Sequence, residues 1–333
     1  QPVTELFPPA FRLERRRANG VTLNVRHDVE PGETRPPLLL LHGFPQTHAM
    51  WHRVAPLLRE RFALVLPDLR GYGDSDKPEG PADHSSYSKR TMAQDMADLM
   101  SGFGFERFDV CGHDRGGRVT HRLALDHPQR VRAALLLDIS PTLTMYENTT
   151  LEFARAYYHW FFLIQPAPLP ERLIGADPAF YLRAKIGGWG SGGTSFFSPD
   201  AVAEYERCFT SAAIHAMCED YRASASIDLE HDRADREPDA ETGDAAIEGG
   251  DLRADHDVGG PTRGREEDEE QSEWLATQLD PGQHHHAERR APERDRVAHG
   301  TRGEGGHADR SDELDRHALA HVEAIDEIGR AHV

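Results

Sequence analysis

Between residues 21 and 139 short apolar runs alternate with amphipathic stretches, and this alternation limits the possible folds more than any other feature of the chain. Leu38-Leu39-Leu40-Leu41, Ala63-Leu64-Val65-Leu66, Phe108-Asp109-Val110-Cys111 and Ala134-Leu135-Leu136-Leu137 are too short for helices and are bounded by turn residues. Such runs suit strands covered on both faces, so all four are expected as buried strands of a mostly parallel sheet. Residues 91–103 place Met92, Met96, Leu99 and Met100 on one helical face, and residues 119–126 form a second helical stretch. The class is α/β, with helices flanking the sheet.

After Pro141 the chain turns aromatic and helical, with Phe153, Tyr157, Tyr158, Trp160, Phe161 and Phe162, broken by Pro166, Pro168 and Pro170 and by the glycine-rich residues 187–193. The expected organisation is a core over residues 1–141, an inserted helical cap over 142–225, and the rest of the core over 226–333. That last region is atypical, because beyond Arg236 only 13 of 97 residues are Val, Ile, Leu, Met, Phe, Trp, Tyr or Cys. A doubly wound sheet needs further strands there, yet the composition suits disorder or short helices near 274–279 and 314–328.

Charge separates the same two regions. The net charge of −19 divides into −4 over residues 1–236 and −15 over residues 237–333, so the acidity belongs to the tail. No basic cluster interleaved with aromatics supports nucleic-acid binding. With no run of 18 apolar residues and no basic-then-apolar start, the expectation is a soluble, cytoplasmic chain without a membrane span. Cys111, Cys208 and Cys218 match no zinc-ligand spacing and read as reduced thiols, and no metal is expected.

Gly112-His113-Asp114-Arg115-Gly116-Gly117 follows one expected strand and opens an expected helix. Small residues flanking a central side chain at such a junction permit a strained turn that presents a nucleophile over the sheet edge. The plainer alternative is a glycine-rich turn with an aspartate helix cap. An aspartate nucleophile is poor toward amides but can displace a leaving group at saturated carbon, giving an alkyl ester that water then cleaves. Carbon–halogen bonds or epoxides are then the expected substrates. His42-Gly43-Phe44-Pro45 supplies a second element: the backbone N–H groups of Phe44 and Arg115 are placed to bind the oxyanion of ester hydrolysis. His42 itself reads as a structural turn histidine.

His42-Gly43-Phe44-Pro45-Gln46, Asp68-Leu69-Arg70-Gly71-Tyr72-Gly73, Gly112-His113-Asp114-Arg115-Gly116-Gly117-Arg118 and His159-Trp160 resemble the haloacetate (fluoroacetate) dehalogenases, over about residues 10–236. The resemblance implies a capped α/β-hydrolase fold, no cofactor, often a homodimer, and a small haloacid substrate. It also implies that Asp138, at the end of the fourth strand, orients a catalytic histidine. His159, Trp160 and Tyr221 map onto donors for the departing halide, and Trp189 onto the pocket lining. The residues agree at the substrate end: Arg115 and Arg118, one helical turn apart, can grip a small carboxylate, or can instead be salt-bridge partners.

The resemblance stops at the base that must activate water. His284, 170 residues after Asp114, is the leading candidate, beside His307, a solvated histidine run without a role, or a weak metal-binding tract. An epoxide hydrolase and a non-catalytic binding protein on the same fold remain the alternative readings.

Overall fold

The computed structural model describes residues 6–188 and 193–236. Among these residues the sheet has six strands: β1 Arg12–Ala18, β2 Val21–His27, β3 Pro37–Leu41, β4 Ala63–Pro67, β5 Phe108–His113 and β6 Val131–Leu137, in the order β1-β2-β4-β3-β5-β6. The pairs β1/β2 and β2/β4 are antiparallel, while β4, β3, β5 and β6 run parallel, so the sheet is mixed. Every residue of β3 and β4 is buried, as their unbroken apolar sequences PLLLL and ALVLP require.

Two features depart from the expected sheet. β1 has the sequence RLERRRA, whose arginines hide the strand pattern. It is formed because Asn19 and Gly20, with φ of 42° and 81°, close a two-residue hairpin that feeds β1 onto β2. β6 is a strand as expected, but it is not buried: Ala133, Ala134 and Leu136 are exposed. Among the described residues β6 pairs only with β5, leaving it at the end of the strand order with its second edge uncovered.

The helices are α1 Ala55–Leu58, α2 Lys89–Gly102, α3 Arg115–Asp126, α4 Thr142–Glu147, α5 Leu151–Ala156, α6 Tyr158–Phe162, α7 Leu169–Ala176, α8 Pro178–Ile186, α9 Pro199–Cys208, α10 Ser211–Ser224 and α11 Ile227–Arg236. Met92, Met96, Leu99 and Met100 of α2 are all buried, the face the sequence pattern marked. The helices after β6 are cut short by prolines that start rather than continue them: Pro178 and Pro199 open α8 and α9. Asp177 caps α8 by accepting from the Phe180 N–H at 3.0 Å. Phe153 anchors α5 and α6 through its ring contacts with Tyr157, Trp160 and Phe161, at 5.0, 5.6 and 5.8 Å. None of the described helices is long and apolar enough to cross a membrane.

The β5–α3 junction fixes the position of the first candidate residue. Asp114 occupies the N-cap position of α3 without a side-chain hydrogen bond to the helix, with φ 47° and ψ −113°, a backbone conformation that a non-glycine residue adopts at a cost of roughly 1–3 kcal/mol. Close packing enforces it. A Cβ on Gly116 would lie 2.5 Å from the His42 carbonyl oxygen, and one on Gly112 would lie 2.3 Å from Thr120 Oγ1. Helix α3 can approach β3 and β5 this closely only because those positions carry no side chain.

Candidate active site

The turn leaves the Asp114 side chain half-buried, and one of its oxygens, Oδ1, accepts a hydrogen bond from the Phe44 N–H at 2.9 Å. Gly43 makes that approach possible, since a Cβ there would sit 2.6 Å from Asp114 Cβ. The loop after β3 and the turn after β5 therefore meet at the carboxylate, with the expected Phe44 donor already directed at the oxygen on which negative charge would collect.

His42 holds that loop rather than facing the carboxylate. Its Nε2 accepts from the Leu69 N–H at 3.0 Å, so Nδ1 carries the proton and donates to the Gly43 carbonyl at 3.1 Å. Burial drives its pKa down to about 4, only partly opposed by Asp68. The unfolded chain binds a proton there near pH 6.5 and the folded chain near 4, so His42 contributes stability above pH 6.5 that is lost as pH falls through that interval. The expected loss is about 3 kcal/mol. Urea unfolding at successive pH values from 7 to 4 should show this decline, and a His42→Gln protein should show a shallower one. Equal slopes in the two proteins would contradict the assignment.

Arg115 and Arg118, both buried, rise from the first turn of α3 behind Asp114. Arg115 is clamped by α10: Nε and Nη2 donate to Asp220 Oδ2 and Oδ1 at 3.0 and 2.7 Å, and Nη2 also reaches the Asp220 carbonyl and Ser224 Oγ. Burial disfavours the guanidinium charge, but Asp220 overrides it and holds the pKa well above the ordinary arginine value. The Asp220 carboxyl is correspondingly held far below its usual range by Arg115 and Lys89, against the effect of burial. The salt-bridge alternative thus describes part of Arg115, but its Nη1 is buried with no hydrogen-bond partner among the described residues. Arg118 donates through Nη1 to the Ser140 carbonyl and Thr142 Oγ1, both at 2.9 Å, and its Nε has no partner among those residues either. Both guanidiniums keep donor capacity that an anion could use.

An aromatic cluster packs against Phe44 and the two arginines. The Phe44 ring stacks on His159 at 5.8 Å and meets Tyr221 edge-on at 5.2 Å, and Trp160 and His159 meet Tyr221 at 6.4 and 5.7 Å. Arg115 lies over the Tyr221 ring at 4.2 Å and Arg118 over Trp160 at 4.5 Å. Burial, with help from the Asp114 charge, raises the Tyr221 pKa well above its ordinary value. Its hydroxyl therefore stays protonated, and it has no hydrogen-bond partner among the described residues. His159 is pushed well below its ordinary pKa by burial and then by Lys185, Arg115 and Arg118, so the ring is neutral.

Asp114, Phe44, Arg115, Arg118, His159, Trp160 and Tyr221 thus form one contiguous set. Asp138 stands at its margin: its side chain is 64% exposed and its carboxylate lies 3.9 Å from Nε2 of His113, the residue before Asp114. Trp189, His284 and His307 lie outside the described residues. Sequence reasoning missed two neighbours. Asp220, the anchor of Arg115, is 105 residues away in the chain. Lys185 approaches His159 from α8, with Nζ 3.2 Å from Nδ1. Elsewhere, Asp74, Glu204 and Cys208 bring potential cation ligands together, but Arg207 already pairs with both carboxylates at 2.6 and 2.7 Å.

Comparison with known proteins bears on this set. A family model described as alpha/beta hydrolase fold matches residues 36–193. The chain is 53% identical over 205 residues to the fluoroacetate dehalogenase of a Burkholderia sp, covering 61% of this chain and 67% of that protein. It is 34% identical over 198 residues to the soluble epoxide hydrolase of Corynebacterium sp. (strain C12), covering 59% and 68%. Among solved structures, a protein of Nostoc sp PCC 7120 assigned to the α/β hydrolases superposes with TM-score 0.65 at 56% identity, over 68% of this chain and 76% of that one. The ligand-free epoxide hydrolase CorEH superposes with TM-score 0.60 at 32% identity, over 66% and 76%.

Proposed function

The chain belongs to the haloacetate dehalogenase family of the α/β-hydrolase superfamily, and on that premise we propose that it hydrolyses haloacetate to glycolate and halide through an ester on Asp114. The observation that carries this reading is the half-buried carboxylate on its strained turn, one oxygen held by the Phe44 N–H, with two buried arginines behind it. Arg115 Nη1 and Arg118 Nε, the donors without partners among the described residues, would take the substrate carboxylate. The α-carbon then faces Asp114.

The Asp114 oxygen not held by Phe44 attacks that carbon from the side opposite the halogen. A carbon–oxygen bond forms as the carbon–halogen bond breaks, and the bonding pair leaves on the halide. His159, Trp160 and Tyr221 are the donors assigned to the halide, with the Tyr221 hydroxyl, its pKa raised well above the ordinary tyrosine value by burial, kept protonated to donate. In the second half, water adds to the ester carbonyl, and the oxyanion on Oδ1 is received by the N–H groups of Phe44 and Arg115. Collapse releases glycolate and returns the carboxylate. The base assigned to this step is His284, with Asp138 as its orienting acid; only Asp138 lies among the described residues.

An epoxide hydrolase would use the same nucleophile, and the buried hydroxyls of Tyr221 and Tyr146, without partners among the described residues, favour that second reading because they could protonate an epoxide oxygen. The arginines separate the two. Arg118→Leu is expected to lower kcat/KM for chloroacetate and fluoroacetate roughly a hundredfold, the scale of losing one charged hydrogen-bond partner, and to spare any turnover of a neutral epoxide. Parent protein that turns over styrene oxide but releases no halide from either haloacetate, with Arg118→Leu indifferent, would favour the epoxide reading instead.

A further inference from the structure

We propose that Lys185 is a positioning residue that fixes the tautomer of His159, and so decides which ring nitrogen offers a proton to the departing halide; this rests on the dehalogenase reading above. Lys185 sits in the last turn of α8, buried, with Nζ 3.2 Å from His159 Nδ1. An ammonium has three protons and no lone pair, so in this contact it can only donate. Nδ1 must then accept, and the single proton of the neutral ring resides on Nε2. A histidine whose tautomer is not fixed can present a lone pair instead of a proton, and a lone pair facing an incoming anion is repulsive.

The surroundings keep both groups in the required state. The Tyr158 ring lies 4.4 Å from Nζ and offers a buried ammonium its π face, while Asp114 attracts the same charge. Among the described residues, the charged groups acting on His159 include Lys185, Arg115 and Arg118, all opposing a second proton, and its ring neighbours include Phe44, Tyr157, Tyr158 and Tyr221. Burial lowers the Lys185 pKa to about 8, with Asp114 opposing that shift. Below that pH the ammonium is present and the lock holds. As pH rises through it, the neutral amine can accept as well as donate, and the lock is released.

Fluoride demands more of its hydrogen-bond donors than chloride or bromide, because its carbon bond is the strongest and its charge the most concentrated. Lys185→Met should therefore lower first-turnover fluoride release from fluoroacetate by roughly ten- to a hundredfold, by analogy with the loss seen when the partner that orients a metal-ligating histidine is removed. Bromoacetate should be affected several times less. Lys185→Arg, which keeps a donor without an acceptor, should restore most of the difference. The alkaline fall in fluoride release near pH 8 in the parent should be absent from Lys185→Met.

A structural readout makes the inference independent of activity. Nitrogen-15 NMR of the His159 imidazole should show the Nε2–H tautomer in the parent from pH 6 to 7.5 and a mixture or the opposite tautomer in Lys185→Met, with the thermal melt confirming that the variant is folded. A His159 that is Nδ1–H or cationic in the parent, or that is the same in both proteins, overturns the proposal whatever the halide assays give. If the parent releases no halide from any haloacetate, the dehalogenase reading fails, and this spectrum still decides the tautomer claim by itself.

Discussion

Replacing Asp114 with Asn is expected to reduce halide release from fluoroacetate and chloroacetate by roughly 10⁴-fold or more, the scale seen when a covalent nucleophile is removed. The amide is nearly the same size, and asparagine is among the residues best able to adopt the left-handed φ of 47° at this position. It can also keep an oxygen toward the Phe44 N–H. The melting temperature should therefore stay within about 2 °C of the parent, the scale of a surface-like change in stability. Loss of activity without loss of fold is the signature of chemistry carried by one side chain. A variant that unfolds would say instead that the turn needs the Asp114 charge to hold its conformation.

The largest effect on stability is expected at Asp220. Its carboxylate is fully buried and receives Arg115, Lys89 and the Tyr72 hydroxyl, which donates at 2.6 Å. Asp220→Ala removes the carboxylate that, among the described residues, pairs with Arg115 and leaves Lys89 only its longer pair with Asp228, at 3.5 Å, so two buried cations share a space built for a better-neutralised cluster. Breaking such a cluster from one side typically costs about 3–5 kcal/mol, and for a domain of this size that is a drop of roughly 10 °C in Tm. What survives at low temperature should bind haloacetate poorly, because the Arg115 fork is no longer held in place. Asp220→Asn keeps acceptor capacity and should fall between the two. Scanning calorimetry and KM for chloroacetate measured on the three proteins would check both effects; equal Tm values in parent and Asp220→Ala would contradict the account.

The site divides into what a linear sequence can reveal and what it cannot. Asp114 was legible because its chemistry and its backbone strain are written in adjacent letters, a strand run followed by Gly-His-Asp-Arg-Gly-Gly. Phe44 was legible for the same reason, as the residue that follows a strand and a glycine. Arg115, Arg118, His159, Trp160 and Tyr221 were named in part from the family likeness, and the fold gathers them around Asp114 through contacts between α3, α6 and α10. Asp220 and Lys185 carry no local signal. An acid on one helix and a lysine near the end of another are ordinary surface residues until long-range packing buries them against Arg115 and His159.

The strands show the same division. β3 and β4 announced themselves by unbroken apolar runs, and β5 by a short run interrupted at Asp109, because central parallel strands are covered on both faces. β1 escaped notice because an edge strand can be polar, although Asn19-Gly20 was its hairpin signal. β6 reads as buried by composition, yet it is half-exposed, since among the described residues nothing pairs with its outer edge. Composition reports what a strand is suited to meet, and topology decides what it meets.

The central claim is that one carboxylate becomes covalently attached to substrate carbon, and mass spectrometry of the intact chain tests it most directly. After brief exposure to chloroacetate, the parent should carry a single added carboxymethyl group that maps to the peptide containing Asp114 and disappears in base as the ester is cleaved, while Asp114→Asn carries none. Halide release by the parent with no adduct in acid-quenched first-turnover samples and no oxygen-18 entering the Asp114 peptide during turnover in labelled water, or an adduct that maps elsewhere and persists in the Asn protein, would contradict it.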